Sequence, residues 1–248
     1  MKKPLVQSVH RALTMLDTLA EEALRGRSVA LQDLASRAGL AETTAHNILK
    51  TMSDCGYVEQ DPDRRYRPGP KARALPRASA VAALAEAASP AVLALARRTG
   101  ESVTLSALVS GRRHTAVHAQ GGCVVRVSED VESKQGFYSF VTGRALAAFA
   151  PAEELDAIVR ENGLPGEAWD NIGSREKLEE ALAEIRRLGR AEKRTADIAA
   201  VAVPVPLREG TVSASVGLYL PLFRATASRM KELLAELRRT AEEIAAAE

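Results

Sequence analysis

The stretch LQDLASRAGLAETTAHNILKTMSDCG, residues 31–56, decides the fold of the N-terminal third of this 248-residue chain. Apolar residues recur at helical spacing from Leu31 to Ala38 and again from Ala41 to Met52. Gly39 lies between the two runs, where the end of a helix requires a left-handed residue. The pattern predicts two short helices joined by a tight turn, with Gly56 ending the second helix. Two helices joined in this way are typical of a helix-turn-helix.

The second of these helices has two different faces. Its apolar face consists of Ala41, Ala45, Ile48, Leu49 and Met52, and its polar face of Thr43, His46, Asn47 and Lys50. A short, mostly uncharged polar face suits the major groove of DNA, because it offers hydrogen bonds without bulky stems. Asn47 can bond an adenine edge in two places, and Thr43 or Thr44 can bond a base edge or a phosphate.

The flanking segments complete a winged helix. Before the pair, Ser8 is a candidate N-cap for a helix with apolar residues at Val9, Leu13 and Leu16. After it, 57–60 and 66–67 are predicted strands joined by the turn-rich basic loop 61–65, which predicts a wing. The basic residues Arg64, Arg65 and Lys71 suit phosphates or a narrow minor groove.

Composition excludes several classes of protein. Apolar residues make up 46% of the chain and charged residues 27%, which are ordinary values for a globular protein. The first 75 residues hold twelve Lys and Arg against nine Asp and Glu, a weak surplus for a DNA-facing module. Cys55 and Cys123 are too few for a disulfide scaffold, and the longest apolar run, 199–207, is too short to span a membrane. No secretory signal is evident, so we expect a cytoplasmic protein.

The remaining two thirds mix helices with strands. Residues 77–88 are predicted to form a linking helix, Ser89-Pro90 to begin a new helix, and Gly100 to end it. The predicted strands are 102–109, 114–120, 123–128, 199–207 and 211–220, with the first two joined by a tight turn as a hairpin. The predicted helices are 142–150, 153–162, 175–188 and 227–246. Hairpins with segregated helices indicate an α+β fold with an antiparallel sheet.

The N-terminal residues resemble the winged helix-turn-helix domain of the IclR-type bacterial transcription regulators. The resemblance rests on 31–35, 38–40, 44–46, 56–58 and 65–71. Two positions depart from the family pattern, because Asn47 stands where an Arg is usual and Pro68 where a Leu is usual. Residue types and resemblance together indicate these DNA-contacting residues: Gln32, Thr43, Thr44, His46, Asn47, Lys50, Arg64, Arg65, Tyr66 and Lys71.

The C-terminal part is similar to the GAF-like effector-binding domain of the same family. The similarity rests on 99–102, 142–145, 182–189 and 202–205. It implies a small-molecule effector, often an organic or aromatic acid, and a homodimer or dimer of dimers. The implied effector-binding residues are Thr142, Gly143, Arg144, Ala200, Gly217 and Tyr219. Lys193 and Arg194 stand where acidic residues are usual, so either they favour a more anionic ligand or they are simply exposed.

The predicted organisation is therefore a DNA-binding domain over 1–71, a linker helix over 72–89 and an effector-binding and oligomerisation domain over 90–248. The predicted function is a DNA-binding transcriptional regulator of a pseudo-palindromic operator, with no cofactor, no metal and no membrane partner. Two alternatives stay open, a protein-interaction adapter with a degenerate winged helix and a metabolite-processing enzyme.

The enzyme alternative has little support in the residues. No phosphate-binding, dinucleotide-binding or nucleophile-elbow motif occurs. His114 and His118 lie close to Cys123 in sequence, but two residues four apart on one strand face are separated by roughly 13 Å, too far to share an ion.

Overall fold

The computed structural model describes residues 6–123, 136–207 and 213–247, apart from the side chains at positions 77 and 78. The chain divides into two units, Met1–Pro76 and Arg77–Glu248. Together they contain helices packed on antiparallel sheets, so the predicted α+β fold is confirmed.

The N-terminal unit is built from three helices and a hairpin. These elements are α1 (Gln7–Ala23), α2 (Leu31–Arg37), α3 (Glu42–Asp54), β1 (Val58–Gln60) and β2 (Tyr66–Pro68). Gly39 and Gly56 have φ of +63° and +79° and follow α2 and α3, as predicted. Ser8 is not an N-cap, because α1 begins at Gln7 and Val6 occupies the cap position.

The core of this unit is small and aliphatic. Its buried members are Met15, Leu19, Val29, Leu34, Ala35, Ala45, Leu49, Val58 and Tyr66. Strands β1 and β2 pair antiparallel, and Tyr66 also forms an isolated antiparallel bridge with Val29, which ties the segment before α2 to the predicted wing. The helix-turn-helix and the wing therefore share one core.

Helix α4 (Pro70–Thr99) is continuous, so the predicted break between a linker helix over 72–89 and a new helix at Pro90 is wrong. A buried stripe passes Pro90 without interruption and consists of Leu84, Ala88, Val92 and Leu95. Burial of this stripe outweighs the roughly 3 kcal/mol that a proline costs inside a helix. Gly100, with φ of +76°, follows the helix as predicted.

The C-terminal unit contains a five-stranded antiparallel sheet in the order β4-β3-β7-β6-β5. Its strands are β3 (Ser102–Val109), β4 (Arg112–Ala119), β5 (Ala191–Arg194), β6 (Ile198–Val205) and β7 (Ala214–Pro221). Its further helices are α5 (Val141–Phe149), α6 (Ala152–Asn162), α7 (Arg175–Leu188) and α8 (Ala227–Ala247), with short 3-10 turns at Phe137–Ser139 and Leu222–Arg224.

The sequence predicts most of this unit correctly. Ser110 and Gly111 both have positive φ and form the tight hairpin turn between β3 and β4. Strand β5 was not predicted, and most of the strand predicted over 123–128 lies outside the described residues.

The sheet has two chemically different faces. One face carries Val103, Leu105 and Ala107 of β3 and packs against α4 and α8 in an aliphatic core. The opposite face, which we call the polar face, carries the buried hydroxyl residues Ser102, Thr104 and Ser106 of the same strand. Helices α5 and α7 pack with this side of the sheet. This second core also contains Trp169 and the aromatic residues of the first 3-10 turn.

Helix α4 is long and apolar enough to cross a membrane by length and composition alone. Counting uninterrupted apolar residues does not reveal this segment, because charged residues such as Glu86 interrupt it. Core helices meet the same criterion, and Leu84, Val92 and Leu95 of α4 belong to the aliphatic core of the C-terminal unit.

We expect Pro90→Ala to raise the free energy of unfolding by about 1 to 3 kcal/mol, because alanine restores a backbone donor in the middle of α4. Pro90 is exposed, so the change removes no core contact. Pro70→Ala, at the first position of the same helix, is the control and should change little, because that N–H has no acceptor within the helix. Chemical denaturation followed by circular dichroism measures both variants, and equal changes would contradict the explanation.

Candidate functional site

Helix α3 presents a polar surface on a buried scaffold. Ala45 and Leu49 are fully buried in the core of the N-terminal unit, which fixes the rotation of the helix about its axis. The polar residues on the other side, Thr43, Thr44, His46, Asn47 and Lys50, are all exposed. Gln32 is exposed in the first turn of α2. The arrangement can place hydrogen-bonding groups in a major groove.

The wing is held in place from its base. The Ser28 hydroxyl donates to Asp61 Oδ2 at 2.6 Å, and the Arg65 amide donates to Asp61 Oδ1 at 2.8 Å. These two hydrogen bonds hold the pKa of Asp61 below its usual value. Arg64 lies at the turn with φ of +59°, and its carbonyl accepts a hydrogen bond from the Gln60 side chain. Arg64 and Arg65 are both exposed, as a phosphate contact requires.

Tyr66 is a correction to the predicted DNA-contacting residues. Its side chain is 5% exposed and packs in the core of the N-terminal unit, so the ring supports the wing and is not available to DNA. Lys71 is exposed and its Nζ lies 5.8 Å from the centre of the Tyr57 ring, which leaves it on the surface as predicted.

Three arginines beside the wing were not among the predicted contacts. Arg27, Arg67 and Arg73 line a cleft of about 510 Å³ together with Glu59. Arg73 and Arg67 donate to Glu59 Oε1 at 2.7 and 2.8 Å. The hydrogen bond from Arg73, and then the charges of Arg73 and Arg67, lower the pKa of Glu59. The only signal in the sequence is that Glu59 and Arg67 oppose each other across a predicted hairpin.

The polar face of the sheet carries two groups of side-chain hydrogen bonds. Ser106 donates to Thr142 Oγ1 at 3.1 Å, and Arg113 of β4 donates to the Ser106 hydroxyl at 2.9 Å. The Thr104 hydroxyl and His118 Nδ1 lie 3.0 Å apart. The guanidinium of Arg113 also stacks on the Phe140 ring, 3.7 Å from its centre. Hydroxyl, imidazole and guanidinium groups therefore meet on one side of the sheet.

These residues were missed in the sequence, although a signal for them exists. Ser102, Thr104 and Ser106 alternate with Val103, Leu105 and Ala107, which is the two-residue period of a strand with one polar and one apolar face. The alternation predicts the polar face, but it does not predict which groups on other elements meet it.

The predicted effector-binding residues all lie on this side of the sheet. Thr142, Gly143 and Arg144 are in the first turn of α5, Ala200 pairs with Tyr219 across β6 and β7, and Gly217 follows the same face of β7. All of the side chains among them are buried. The structure thus brings together residues that the sequence separates by more than seventy positions.

Two of these residues, Gly143 and Arg144, have a structural role at the start of α5. Arg144 donates to the Tyr138 and Ala168 carbonyls at 2.9 and 3.0 Å and lies 4.7 Å from the centre of the Trp169 ring. Burial lowers the pKa of Arg144 to about 10. A Cβ on Gly143 would come 2.0 Å from the Phe137 carbonyl oxygen, so no larger residue fits there.

Lys193 and Arg194 have different environments. Lys193 is half-buried and donates to the Ser139 carbonyl at 2.7 Å, close to the start of α5. Burial, followed by the charge of Arg144, lowers the pKa of Lys193. Arg194 is exposed. Simple exposure therefore describes Arg194 but not Lys193.

His114 and His118 do not share a strand face, which corrects the geometry expected from their spacing. The pairing of β3 with β4 shifts between Leu105 and Ser106, and the extra residue in β4 turns the two histidines to opposite faces. His118 lies opposite Thr104 on the polar face, whereas His114 lies opposite Ala107. Among the described residues, no group of three or more metal-ligating side chains is assembled.

A recognition helix with an exposed polar face, a wing with exposed arginines and a separate α+β unit define a winged helix-turn-helix regulator. The family model described as the IclR helix-turn-helix domain matches residues 8–62, and the one described as the bacterial transcriptional regulator IclR C-terminal matches residues 77–246. The chain belongs to the IclR family of bacterial transcriptional regulators. It is a DNA-binding transcriptional regulator controlled by a small-molecule effector, and not an enzyme.

Named relatives are similar over most of their length. The HTH-type transcriptional regulator XynR of Escherichia coli is 29% identical over 87% of this chain and 86% of its own. The glycerol operon regulatory protein of Streptomyces griseus is 30% identical over 88% of this chain and 86% of its own.

Solved structures share the fold. An IclR transcriptional regulator from Alicyclobacillus acidocaldarius aligns with a TM-score of 0.57 and 25% identity, covering 98% of this chain and 99% of its own. An IclR homologue from Microbacterium hydrocarbonoxydans, solved in complex with 4-hydroxybenzoate, aligns with a TM-score of 0.56 and 23% identity, covering 97% of this chain and 98% of its own.

The packing of Thr142 against Gly217 on the polar face can be tested directly. A Cβ at this position would lie 2.8 Å from Thr142 Cγ2, so we expect Gly217→Ala to lower the free energy of unfolding by about 1 to 3 kcal/mol through overpacking. Thr142→Ser removes that methyl group and keeps the hydroxyl that contacts Ser106. The double variant should recover much of the loss in a double-mutant cycle, and additive losses would contradict the contact.

Proposed function

We propose that the exposed polar face of α3 reads the bases of an operator and that the wing positions the protein on the DNA backbone. The observation that carries this proposal is the rigid seating of α3, with Ala45 and Leu49 fully buried beneath exposed Thr43, His46 and Asn47. Side chains held by a fixed helix read a groove in one register. Asn47 is the base-reading candidate, since its amide can both donate to and accept from one adenine.

Phosphate contacts supply the remaining affinity in this proposal. Lys50, Arg64, Arg65 and Lys71 are exposed on α3, at the wing and after it. Gln32, in the first turn of α2, is suited to contact the DNA backbone beside the major groove. Such contacts position the protein without specifying sequence, and their loss reduces the dependence of binding on salt.

The regulator acts as a homodimer, or a dimer of dimers, on a pseudo-palindromic operator in the cytoplasm. Two-fold symmetry in the protein is matched by two half-sites spaced by about one helical turn or a multiple of it. The effector shifts the disposition of the two reading helices, and a coupling of about 1 to 3 kcal/mol changes operator occupancy 5- to 150-fold.

The effector binds on the polar face of the sheet, and we propose an organic or aromatic acid. Arg113 and Lys193 supply positive charge, Thr104 and Ser106 supply hydroxyls, and Phe140 supplies an aromatic surface. A related regulator has been solved with 4-hydroxybenzoate, which is an aromatic acid. Of the residues predicted from the sequence, Thr142, Ala200 and Tyr219 belong to this site, while Gly143, Arg144 and Gly217 shape it through packing.

Substitution of Asn47 tests the reading of bases. We expect Asn47→Ala to cost about 1 to 3 kcal/mol on specific DNA and to relax selectivity at a single base pair, whereas Arg65→Ala should weaken binding to all sequences similarly. Gel-shift titrations at several salt concentrations, on DNA selected by the unaltered protein and on random DNA, measure both. Equal losses on the two DNAs for Asn47→Ala would refute its role, and no binding at all by the unaltered chain would favour the adapter alternative.

A thermal-shift screen tests the effector site. We expect small aromatic carboxylates to raise the melting temperature of the full chain, because a ligand at a hundred times its Kd stabilises the folded state by about 2.7 kcal/mol. Neutral amides of the same acids are the matched ligand control and should stabilise less. Arg113→Gln should remove the preference for the acid over the amide. A preference that survives this change would place the charge recognition elsewhere.

A further inference from the structure

The cleft of about 510 Å³ beside the wing has no part in the proposed reading of DNA. Its charged lining residues are Arg27, Arg67, Arg73 and Glu59, and we call it the wing cleft. Its volume is within the range of small-molecule sites, which is roughly 300 to 1,000 Å³. A concave surface with more positive than negative side chains concentrates anions.

The wing cleft lies on the side of the wing hairpin away from α3. Side chains alternate between the two faces of a strand. Val58 and Tyr66 pack in the core that also buries Leu49 of α3. Glu59 and Arg67 pair across the hairpin, point to the opposite face and line the cleft. Because the hairpin separates the cleft from the recognition helix, this placement favours a free ligand over the operator.

Glu59 positions two of the arginines in the wing cleft. Its Oε1 accepts hydrogen bonds from Arg73 Nη1 at 2.7 Å and from Arg67 Nε at 2.8 Å. Within the part of the chain that the structure describes, the hydrogen bonds of each guanidinium side chain use this one nitrogen alone. The other nitrogens are donors in the forked arrangement that suits phosphate oxygens.

Arg27 adds a positive charge that no carboxylate neutralises at close range among the described residues. Its ion-pair partner is Glu22, whose Oε2 lies 4.0 Å from Arg27 Nη1. The other oxygen of Glu22 accepts hydrogen bonds from Arg25 and Arg37. The charge of Arg27 therefore remains available to a ligand in the wing cleft.

The charge balance of the wing cleft selects among anions. Three arginines against the single carboxylate of Glu59 leave a surplus of two positive charges. A phosphate monoester carries a charge of about −1.5 to −2 at pH 7. Each phosphodiester of a DNA backbone carries only one negative charge. The monoester is therefore the closer match to the cleft.

We propose that the wing cleft binds a small phosphate monoester, with Arg67 and Arg73 donating to the phosphate oxygens and Arg27 adding a third positive charge. The remaining volume holds the group that is esterified to the phosphate. The site is separate from the effector site proposed on the polar face of the sheet, and it needs no DNA. Glu59 has two opposing effects there, because it positions two guanidinium groups and also repels the ligand.

Isothermal titration calorimetry of the full chain with ethyl phosphate, at pH 7.5 and constant ionic strength, tests the proposal. Diethyl phosphate is the matched ligand control, since it is a diester with one negative charge. We expect ethyl phosphate to bind at least about tenfold more tightly than diethyl phosphate, because only the monoester matches the surplus of two positive charges.

Substitutions locate the site. We expect Arg67→Gln to weaken the binding of ethyl phosphate by about tenfold or more, because hydrogen bonds between charged groups are lost. Arg187→Gln is the matched control, since it removes an exposed arginine and its ion pair with Glu184 outside the cleft, and it should leave the affinity unchanged. Glu59→Gln should strengthen binding by roughly fivefold, because it removes a repelling charge and keeps an oxygen that accepts from both arginines.

The gain expected for Glu59→Gln keeps the test informative if an arginine variant folds poorly, because a damaged fold does not tighten binding. Equal affinities for the monoester and the diester, equal effects of Arg67→Gln and Arg187→Gln, or weaker binding by Glu59→Gln overturn the proposal. If ethyl phosphate does not bind while Arg67→Gln weakens gel-shift binding to random duplex DNA, the cleft contacts the DNA backbone and the proposal is likewise overturned. The calorimetry uses no DNA, so its failure leaves the proposed reading of bases standing.

Discussion

The C-terminal unit depends on the two-sided burial of strand β3. This strand is hydrogen-bonded to β4 on one edge and β7 on the other, and all eight of its residues are buried. Its aliphatic side can be covered only by apolar helices, which α4 and α8 provide. Its hydroxyl side needs hydrogen-bonding partners, because a buried hydroxyl without one is costly. Thr142 at the start of α5 and Arg113 of β4 meet that need for Ser106, and His118 meets it for Thr104, which brings together the groups of the proposed effector site.

The N-terminal unit has a small core, in which a buried carboxylate also takes part. Glu22 at the end of α1 is nearly buried and accepts from Arg25 and Arg37, so one carboxylate joins α1 to α2. Ala45 and Leu49 are the buried residues of α3, and Ile48 and Met52 pack against the same core. One face of α3 therefore remains exposed for the proposed reading of bases.

Local chemistry explains which features could be predicted. Gly39 and Gly56 stop helices because no other residue adopts their backbone so easily, and this holds before any tertiary contact forms. The features that the sequence did not predict depend instead on contacts between distant parts of the chain. Pro90 does not interrupt α4, because long-range burial of the stripe around it dominates. Strand β5 is a short, charged edge strand, and only its pairing with β6 makes it a strand. Tyr66 lies beside two wing arginines in sequence, yet its ring turns inward to the core.

The sequence by itself determined the helix-turn-helix, the wing, the hairpin and the resemblance to a family of regulators, because these follow from spacing, turn residues and alternation within short segments. Only the tertiary structure decided that Thr142 packs on Gly217 and that His114 and His118 lie on opposite faces of their strand. Each of these depends on contacts between segments far apart in the chain or on a single inserted residue in a strand. Burial and register are properties of the assembled sheet and core, and no local pattern contains them.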